Sequence, residues 1–461
     1  MLPLSNENLL FRIKGGIWLE GTINKTDEEG IKAGFREAMK EVMSKVNSQI
    51  FTLCNRGGPL YMWPRTHAST HPSELQDETL CKTILKYVTF EVSESVRKLS
   101  KKKSMKIVPL KVINLQILFE LSRTDVVEKV MIQHNKMSRT HFKLNLPLDV
   151  VVFANPEDTW SSLQDQFLEA VIAQLTAMDN CIQRYTKGKT VPIPHAYHFE
   201  LPERTILTTV IYPAGISDKT LEPERKVLHA ELGLDNKPFL RRSMSYCFPS
   251  DEIKSKYLKN VHRYIAAPDP DQFKVYLVHG SYTFHHRLQD DSNDSGWGAP
   301  YRCIQVIISW FNSQGYIDIS LPTVEDLQDA MTKVEDEFVN IAGTKEWPTG
   351  EQFASLLKSY QISAVNYDFR TSGEQPMHIS AHFEEQGSPV MIFSEPKAYI
   401  LLGIAVNDDP NATKLLVLDT MYTGNDEVAN VIEKVVSWKG GEFWDEMEVY
   451  GLCQPQRPEG V

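Results

Sequence analysis

The chain has 461 residues, 42% of them hydrophobic and 24% charged, with a formal net charge of −11. These values suit a soluble globular protein of two or three domains. The acidic balance excludes a general nucleic-acid binder, because neutralising phosphates needs a basic face.

The start, Met1 to Lys14, lacks the basic segment and apolar core of about 7 residues that make a secretory signal. Phe11-Arg12-Ile13-Lys14 reads as a short strand. Ile31, Phe35, Met39, Val42 and Val46 recur at helical spacing, which predicts an amphipathic helix over Glu28 to Asn47. Leu60-Tyr61-Met62-Trp63 reads as another short strand. The run from Arg97 to Lys106 is the one basic exception, either a solvated loop or a contact for an acidic partner. Leu115 to Leu121 and Leu148 to Phe153 are apolar runs of strand length. Asp158 or Thr159 caps a long helix whose stripe of Leu163, Phe167, Val171, Leu175, Met178 and Ile182 reads as core.

Pro192 to Pro194 marks a sub-boundary near residue 190, followed by a strand near Ile206 to Tyr212. The stretch Ala266-Ala267-Pro268-Asp269-Pro270-Asp271 is the strongest boundary signal, because two prolines break periodicity. It divides the chain into 1–268 and 269–461. The second part opens on a strand, Phe273 to Val278, and a loop, Arg287 to Gly296. A helix follows over Pro300 to Asn312, with Pro300 in the first turn, where its missing N–H costs nothing. Helices near Val324 and Glu351 come next. Strands follow at Ser363 to Phe369, Val390 to Phe393, Ile400 to Val406 and Lys414 to Met421. The predicted class is α+β.

No internal repeat is present, and no apolar run approaches the ~18 residues of a membrane span. The cysteines, Cys54, Cys81, Cys181, Cys247, Cys303 and Cys453, form no CxxC pair, which argues against structural zinc and a disulfide framework. The expected compartment is therefore the cytosol. In that setting the glycosylation acceptor pattern at Asn411-Ala412-Thr413 is a chance match.

The chemistry-bearing stretch is Asp294-Ser295-Gly296-Trp297-Gly298-Ala299-Pro300-Tyr301-Arg302-Cys303. It delivers residue 299 to a helix N-terminus, where the dipole favours an anion and lowers a thiol pKa. That position holds Ala299, whose methyl group cannot attack a carbonyl. Downstream, Leu416 to Tyr422 reads as a strand that puts residues 419 and 421 on one face. An Asp and a His there would form a base with its orienting acid, but the second position is Met421.

These segments resemble the ubiquitin-fold-modifier-specific protease family, type 2. Its nucleophile motif, G-W-G-C-A-Y-R-S, is matched by Gly296-Trp297-Gly298-Ala299-Pro300-Tyr301-Arg302-Cys303. Its acid and base motif, L-D-P-H-Y-T-G, is matched by Leu418-Asp419-Thr420-Met421-Tyr422-Thr423-Gly424. Ser309-Trp310-Phe311, Gln314-Gly315-Tyr316, Trp438-Lys439-Gly440 and Pro455-Gln456-Arg457-Pro458 match further motifs. In the first half so do Pro156-Glu157, Thr159-Trp160 and Phe11-Arg12-Ile13. The resemblance covers nearly the whole length. It implies a papain-like domain in 269–461 behind an N-terminal α+β targeting and recognition region in 1–268.

The departures fall where chemistry would be. The resemblance puts the nucleophile on Ala299 and the base on Met421, and keeps the acid, Asp419. The family's oxyanion donor is the Tyr of H-H-Y-x-Q-D; here His285-His286-Arg287-Leu288-Gln289-Asp290 puts Arg287 there. An A-H-T-I-L-G strand reads Ala398-Tyr399-Ile400-Leu401-Leu402-Gly403, losing a second His. Drift would spread such changes evenly. Losing nucleophile and base together leaves no route to an acyl-enzyme. Cys303 sits one turn on, ~6 Å deeper, whereas nucleophile and base must meet within ~3 Å. Its bland reading is a buried small side chain. His285, His286, His378 and His382 read as structural or exposed.

The family resembled here releases the ubiquitin-fold modifier, whose flexible tail ends in glycine, from precursors and conjugates. It implies a groove walled by Trp297, Gly298 and Tyr301, the modifier or its conjugates as partner, an endoplasmic-reticulum adaptor, and no metal or organic cofactor. Four readings stand. The chain is a modifier- or adaptor-binding pseudo-protease, an active peptidase with an altered centre, a structural paralogue without modifier binding, or a duplicate copy with no selected function.

Overall fold

The computed structural model describes residues 9–48, 51–55, 61–63, 75–84, 86–87, 90–91, 112–120, 139–202, 204, 206–234, 238–248, 251, 256–334, 343–369, 375–409, 412–443, 445 and 448–460. The basic run from Arg97 to Lys106 lies outside them, as do Leu60, Leu121 and Asn411. The described residues form two compact units. The first holds those up to Leu221 and the described part of 245–252. The second holds Glu222–Met244 and everything described beyond Ile253.

The first unit runs β1 (Leu9–Ile23), α1 (Glu28–Asn47), β2 (Phe51–Asn55), β3 (Tyr61–Trp63), α2 (Cys81–Ile84), β4 (Phe90–Glu91), β5 (Val112–Glu120), β6 (Thr140–Ala154), α3 (Trp160–Tyr185), β7 (Pro194–Phe199) and β8 (Thr208–Pro213). Its sheet has the order β3-β2-β5-β1-β6, with β4 on β5. The short strand expected at Phe11 is 15 residues long, because β6 pairs with it antiparallel from Leu9–Ala154 to Ile23–Thr140. Asp27 caps α1 by accepting from the Gly30 N–H at 2.8 Å. Thr159, not Asp158, caps α3, accepting from the Ser162 N–H at 3.2 Å. Both expected apolar stripes are buried, and the two helices pack on each other and on the sheet. Arg12, 1% exposed, reaches Asp149 and Asp251 and stacks 3.7 Å over the Phe248 ring.

The second unit runs α4 (Glu222–Leu232), β9 (Lys274–Leu277), α5 (Ala299–Ser313), α6 (Val324–Val334), α7 (Gly350–Ser359), β10 (Ser363–Phe369), α8 (Gln375–Glu385), β11 (Val390–Ser394), β12 (Lys397–Val406), β13 (Lys414–Asp419), α9 (Val428–Lys434), β14 (Val436–Lys439) and β15 (Tyr450–Gln456). The sheet order is β10-β15-β11-β12-β13-β14, with β9 on β12. α5 packs on β11 and β12, and every residue from Ala299 to Phe311 is buried. A helix closed on all sides needs partners for its polar groups. Arg302 finds Asp294, Gln305 finds the Pro322 carbonyl at 2.8 Å, and Ser309 finds the Val306 carbonyl at 2.7 Å. The fold is α+β. β13 stops at Asp419, two residues before the predicted end. α4, α8, α9, β14 and β15 have no counterpart in the sequence reading. At 7 residues α9 is too short to display a period.

Candidate functional site

The loop that delivers residue 299 is held by a buried ion pair, with side chains 1% and 0% exposed. Asp294 Oδ2 accepts from Arg302 Nε at 2.7 Å, and Oδ1 accepts from the Leu288 N–H at 2.6 Å. Arg302 also donates to the Gln289 carbonyl at 3.0 Å and to Gln305 Oε1 at 3.1 Å. Gly298 is needed beside this pair, since a Cβ there would stand 2.2 Å from Asp294 Oδ2. Leu288, Asp290 and Asp291 have φ of 62°, 60° and 58°. Non-glycine residues hold that left-handed conformation only when their surroundings impose it. Asp290 is gripped by the Tyr257 hydroxyl at 2.9 Å and by Lys256 Nζ at 2.6 Å.

Thr420 joins the candidate positions. Its side chain is fully buried. Its Oγ1 lies 3.3 Å from the Ala299 carbonyl, 3.1 Å from the Ala398 carbonyl and 3.3 Å from Cys303 Sγ. One hydroxyl has one proton, so the arrangement is satisfied when the thiol donates to Oγ1 and the hydroxyl donates to a carbonyl. The Thr420 carbonyl accepts the Arg287 N–H at 3.1 Å. Its chain neighbours are Asp419 and Met421, both part-exposed. The structure thus brings Arg287, Ala299, Asp419 and Met421 around one residue. The strand alternation expected across these positions stops at Asp419, because residues 420 and 421 form a turn. Asp419 Oδ1 accepts the Met421 N–H at 2.8 Å and so turns the chain out of the ladder.

Ala299 is fully buried, so in this conformation no substrate atom reaches its methyl group. Burial raises Asp419 above the usual carboxylate range, against the Met421 N–H, Arg287 and Lys439. Burial lowers Arg287, with Asp294 and Asp419 opposing. The Arg287 Nε is buried without a hydrogen-bond partner. Tyr399, opposite Asp419 in the β12–β13 ladder, is pushed up to about 12 by burial and by that carboxylate. Burial also takes the Cys303 thiol to about 12, despite its Thr420 contact. Of the three groove positions, Gly298 and Tyr301 are buried and Trp297 is part-exposed. The Trp297 ring packs edge-on against Tyr301 at 5.9 Å, and its Nε1 is buried without a partner.

The imidazoles have other work. His285 is buried between Thr283 Oγ1 at 2.7 Å and Gln289 Oε1 at 3.1 Å, and burial takes it down to about 3. His286 bridges the Tyr422 carbonyl at 3.1 Å and Asp426 Oδ1 at 2.8 Å. His382 bonds Ser388, and burial lowers it to about 4. His378 is exposed and stacks on Tyr367 at 5.5 Å. The sequence reading missed the Asp294–Arg302 pair, Asp426 and Thr420. Only Thr420 left a signal, as a hydroxyl where the motif carries proline. The surviving motifs are framework. Trp310 Nε1 donates to the His279 carbonyl at 2.5 Å, Gln314 Nε2 to the Ser281 carbonyl at 2.8 Å, and Trp438 Nε1 to the Ala266 carbonyl at 3.1 Å.

The family described as "Ubiquitin-fold modifier 1 specific protease 2, N-terminal" matches residues 36–253, and "Peptidase family C78" matches residues 273–453. The chain is 36% identical over 462 residues to the Ufm1-specific protease 2 of Gallus gallus, covering 98% of this chain and 100% of that one. It is 33% identical over 471 residues to the Ufm1-specific protease 2 of Homo sapiens, covering 100% of both. The crystal structure of UfSP from C. elegans superposes with a TM-score of 0.64 at 22% identity, over 98% of this chain and 78% of that one. Among the described residues no helix is long and apolar enough to cross a membrane.

Proposed function

The chain belongs to the Ufm1-specific protease 2 family, and from that premise we propose that it is a pseudo-protease, which binds Ufm1 or its conjugates without cleaving them. The observation that carries this reading is Ala299 at the head of α5. The Asp294–Arg302 pair that aims this position is whole, while the reactive atom is absent. Met421 at the base position removes the proton acceptor as well. Loss of an essential triad member costs ~10⁴ to 10⁶ in turnover. Cys303 offers no replacement, being fully buried, bonded to Thr420 and protonated at neutral pH.

In this reading Asp419 is a retained acid without a base, and Arg287 fills the oxyanion-donor position with a cation. Trp297 is the wall a tail meets. Gly298 permits close backbone approach, and Tyr301 acts from behind by bracing Trp297. Residues 1–268 serve as the targeting region and carry contact with an endoplasmic-reticulum adaptor. Residues 269–461 form the peptidase-type domain.

Calorimetric titration of mature Ufm1 into the full chain tests the binding claim. Saturable heat with a micromolar or tighter Kd is expected. No heat at high micromolar concentrations overturns it and leaves a structural paralogue.

A further inference from the structure

Arg287 differs in kind from the tyrosine that the motif places there. Its N–H is fixed to the Thr420 carbonyl at 3.1 Å, so its side chain starts beside Asp419 and Met421. Arg287 is part-exposed as a residue, and its Nε is buried and unpartnered. A buried donor without an acceptor is costly. The neighbouring carboxylates, Asp294 and Asp419, favour its charge, but their hydrogen bonds go elsewhere. Asp294 accepts from Arg302 and from the Leu288 N–H, and Asp419 accepts from the Met421 N–H. Trp297, on the same loop, adds a second buried and unpartnered donor. Both donors lack lone pairs and so select an acceptor.

One further change favours an anion at this place. A thiolate at residue 299 would repel a carboxylate, and the methyl of Ala299 does not. Guanidinium and carboxylate also match as bidentate partners, which an amide carbonyl does not reproduce. We infer that the site holds a free C-terminal carboxylate, with Arg287 as its anchor, so that it takes a released chain end rather than an amide or isopeptide bond. This rests on the modifier-binding reading above, and the chain end is the modifier's own.

The test uses the full chain and calorimetry with two ligands, mature Ufm1 and the same protein ending in a C-terminal amide. The native chain is expected to bind the free acid about tenfold tighter, the difference one charge-assisted contact makes. Arg287→Gln is expected to abolish that preference by weakening only the free-acid form. Arg287→Lys, which keeps the charge, retains part of it and controls for folding. Equal affinity of the native chain for both forms overturns the inference while the binding reading stands. So does an undiminished preference in a folded Arg287→Gln. If neither form binds, both fail together.

Discussion

Cys303 Sγ and Thr420 Oγ1 lie 3.3 Å apart in the sealed interior behind residue 299. The pair turns the thiol one helical turn beyond residue 299 into a packing group. Cys303 should therefore resist alkylation at pH 8 in the folded protein, while exposed Cys247 reacts. Peptide mapping after iodoacetamide treatment checks this. Cys303 labelling at the rate of Cys247 would mean a reachable, ionised thiol.

Thr420 has a second duty, because its hydroxyl lies within reach of the Ala299 and Ala398 carbonyls and donates to one of them. Thr420→Val keeps the shape and removes the hydrogen bonding. The expected loss of stability is about 1–3 kcal/mol, the cost of buried groups left unpaired. Denaturant unfolding measures it, and an unchanged midpoint would show that the hydroxyl contributes nothing.

Asp294 and Arg302 should behave as a unit. Removing the carboxylate in Asp294→Ala strands a buried guanidinium, at an expected cost of about 3–5 kcal/mol. Removing both charges, in Asp294→Ala with Arg302→Met, should cost clearly less than the two single changes summed. Additive losses in the double-mutant cycle would mean the pair is uncoupled.

Acid should weaken the second unit before carboxylates titrate. Burial lowers His262 and His285 to about 3 and His382 to about 4, against an ordinary 6.5. These rings stay neutral when folded, whereas the unfolded chain takes up protons near 6.5. Their contribution is therefore full above that pH and is lost as pH falls through 6.5 towards the folded values. Each adds a slope of about 1.4 kcal/mol per pH unit over that window. Unfolding midpoints from pH 7 to 4.5 should fall, and His285→Gln should flatten the curve by about one proton. An identical slope in that variant would contradict the assignment.

The helices were readable wherever one face carried a sustained apolar stripe, as with Ile31 to Val46 and Leu163 to Ile182. Residue type at fixed spacing singled out Ala299 and Asp419 with Met421, positions that the structure gathers around Thr420. What escaped was set by distant pairing. Leu9 to Ile23 forms one long strand only because Thr140 to Ala154 runs beside it. Asp294 and Arg302 lie eight residues apart, a spacing with no local meaning until the loop folds back on the helix. Thr420 was visible as a departure from proline, but the three groups around its hydroxyl come from α5 and β12.

On the proposed reading, the framework of the site is whole and its chemistry is gone. A single assay compares the native chain with the triple variant Ala299→Cys, Met421→His, Arg287→Tyr on an Ufm1 precursor, following release of the C-terminal extension. No turnover by the native protein and measurable cleavage by the variant are expected. Catalytic trimming by the purified native chain, or a folded triple variant that cleaves nothing, would contradict that reading.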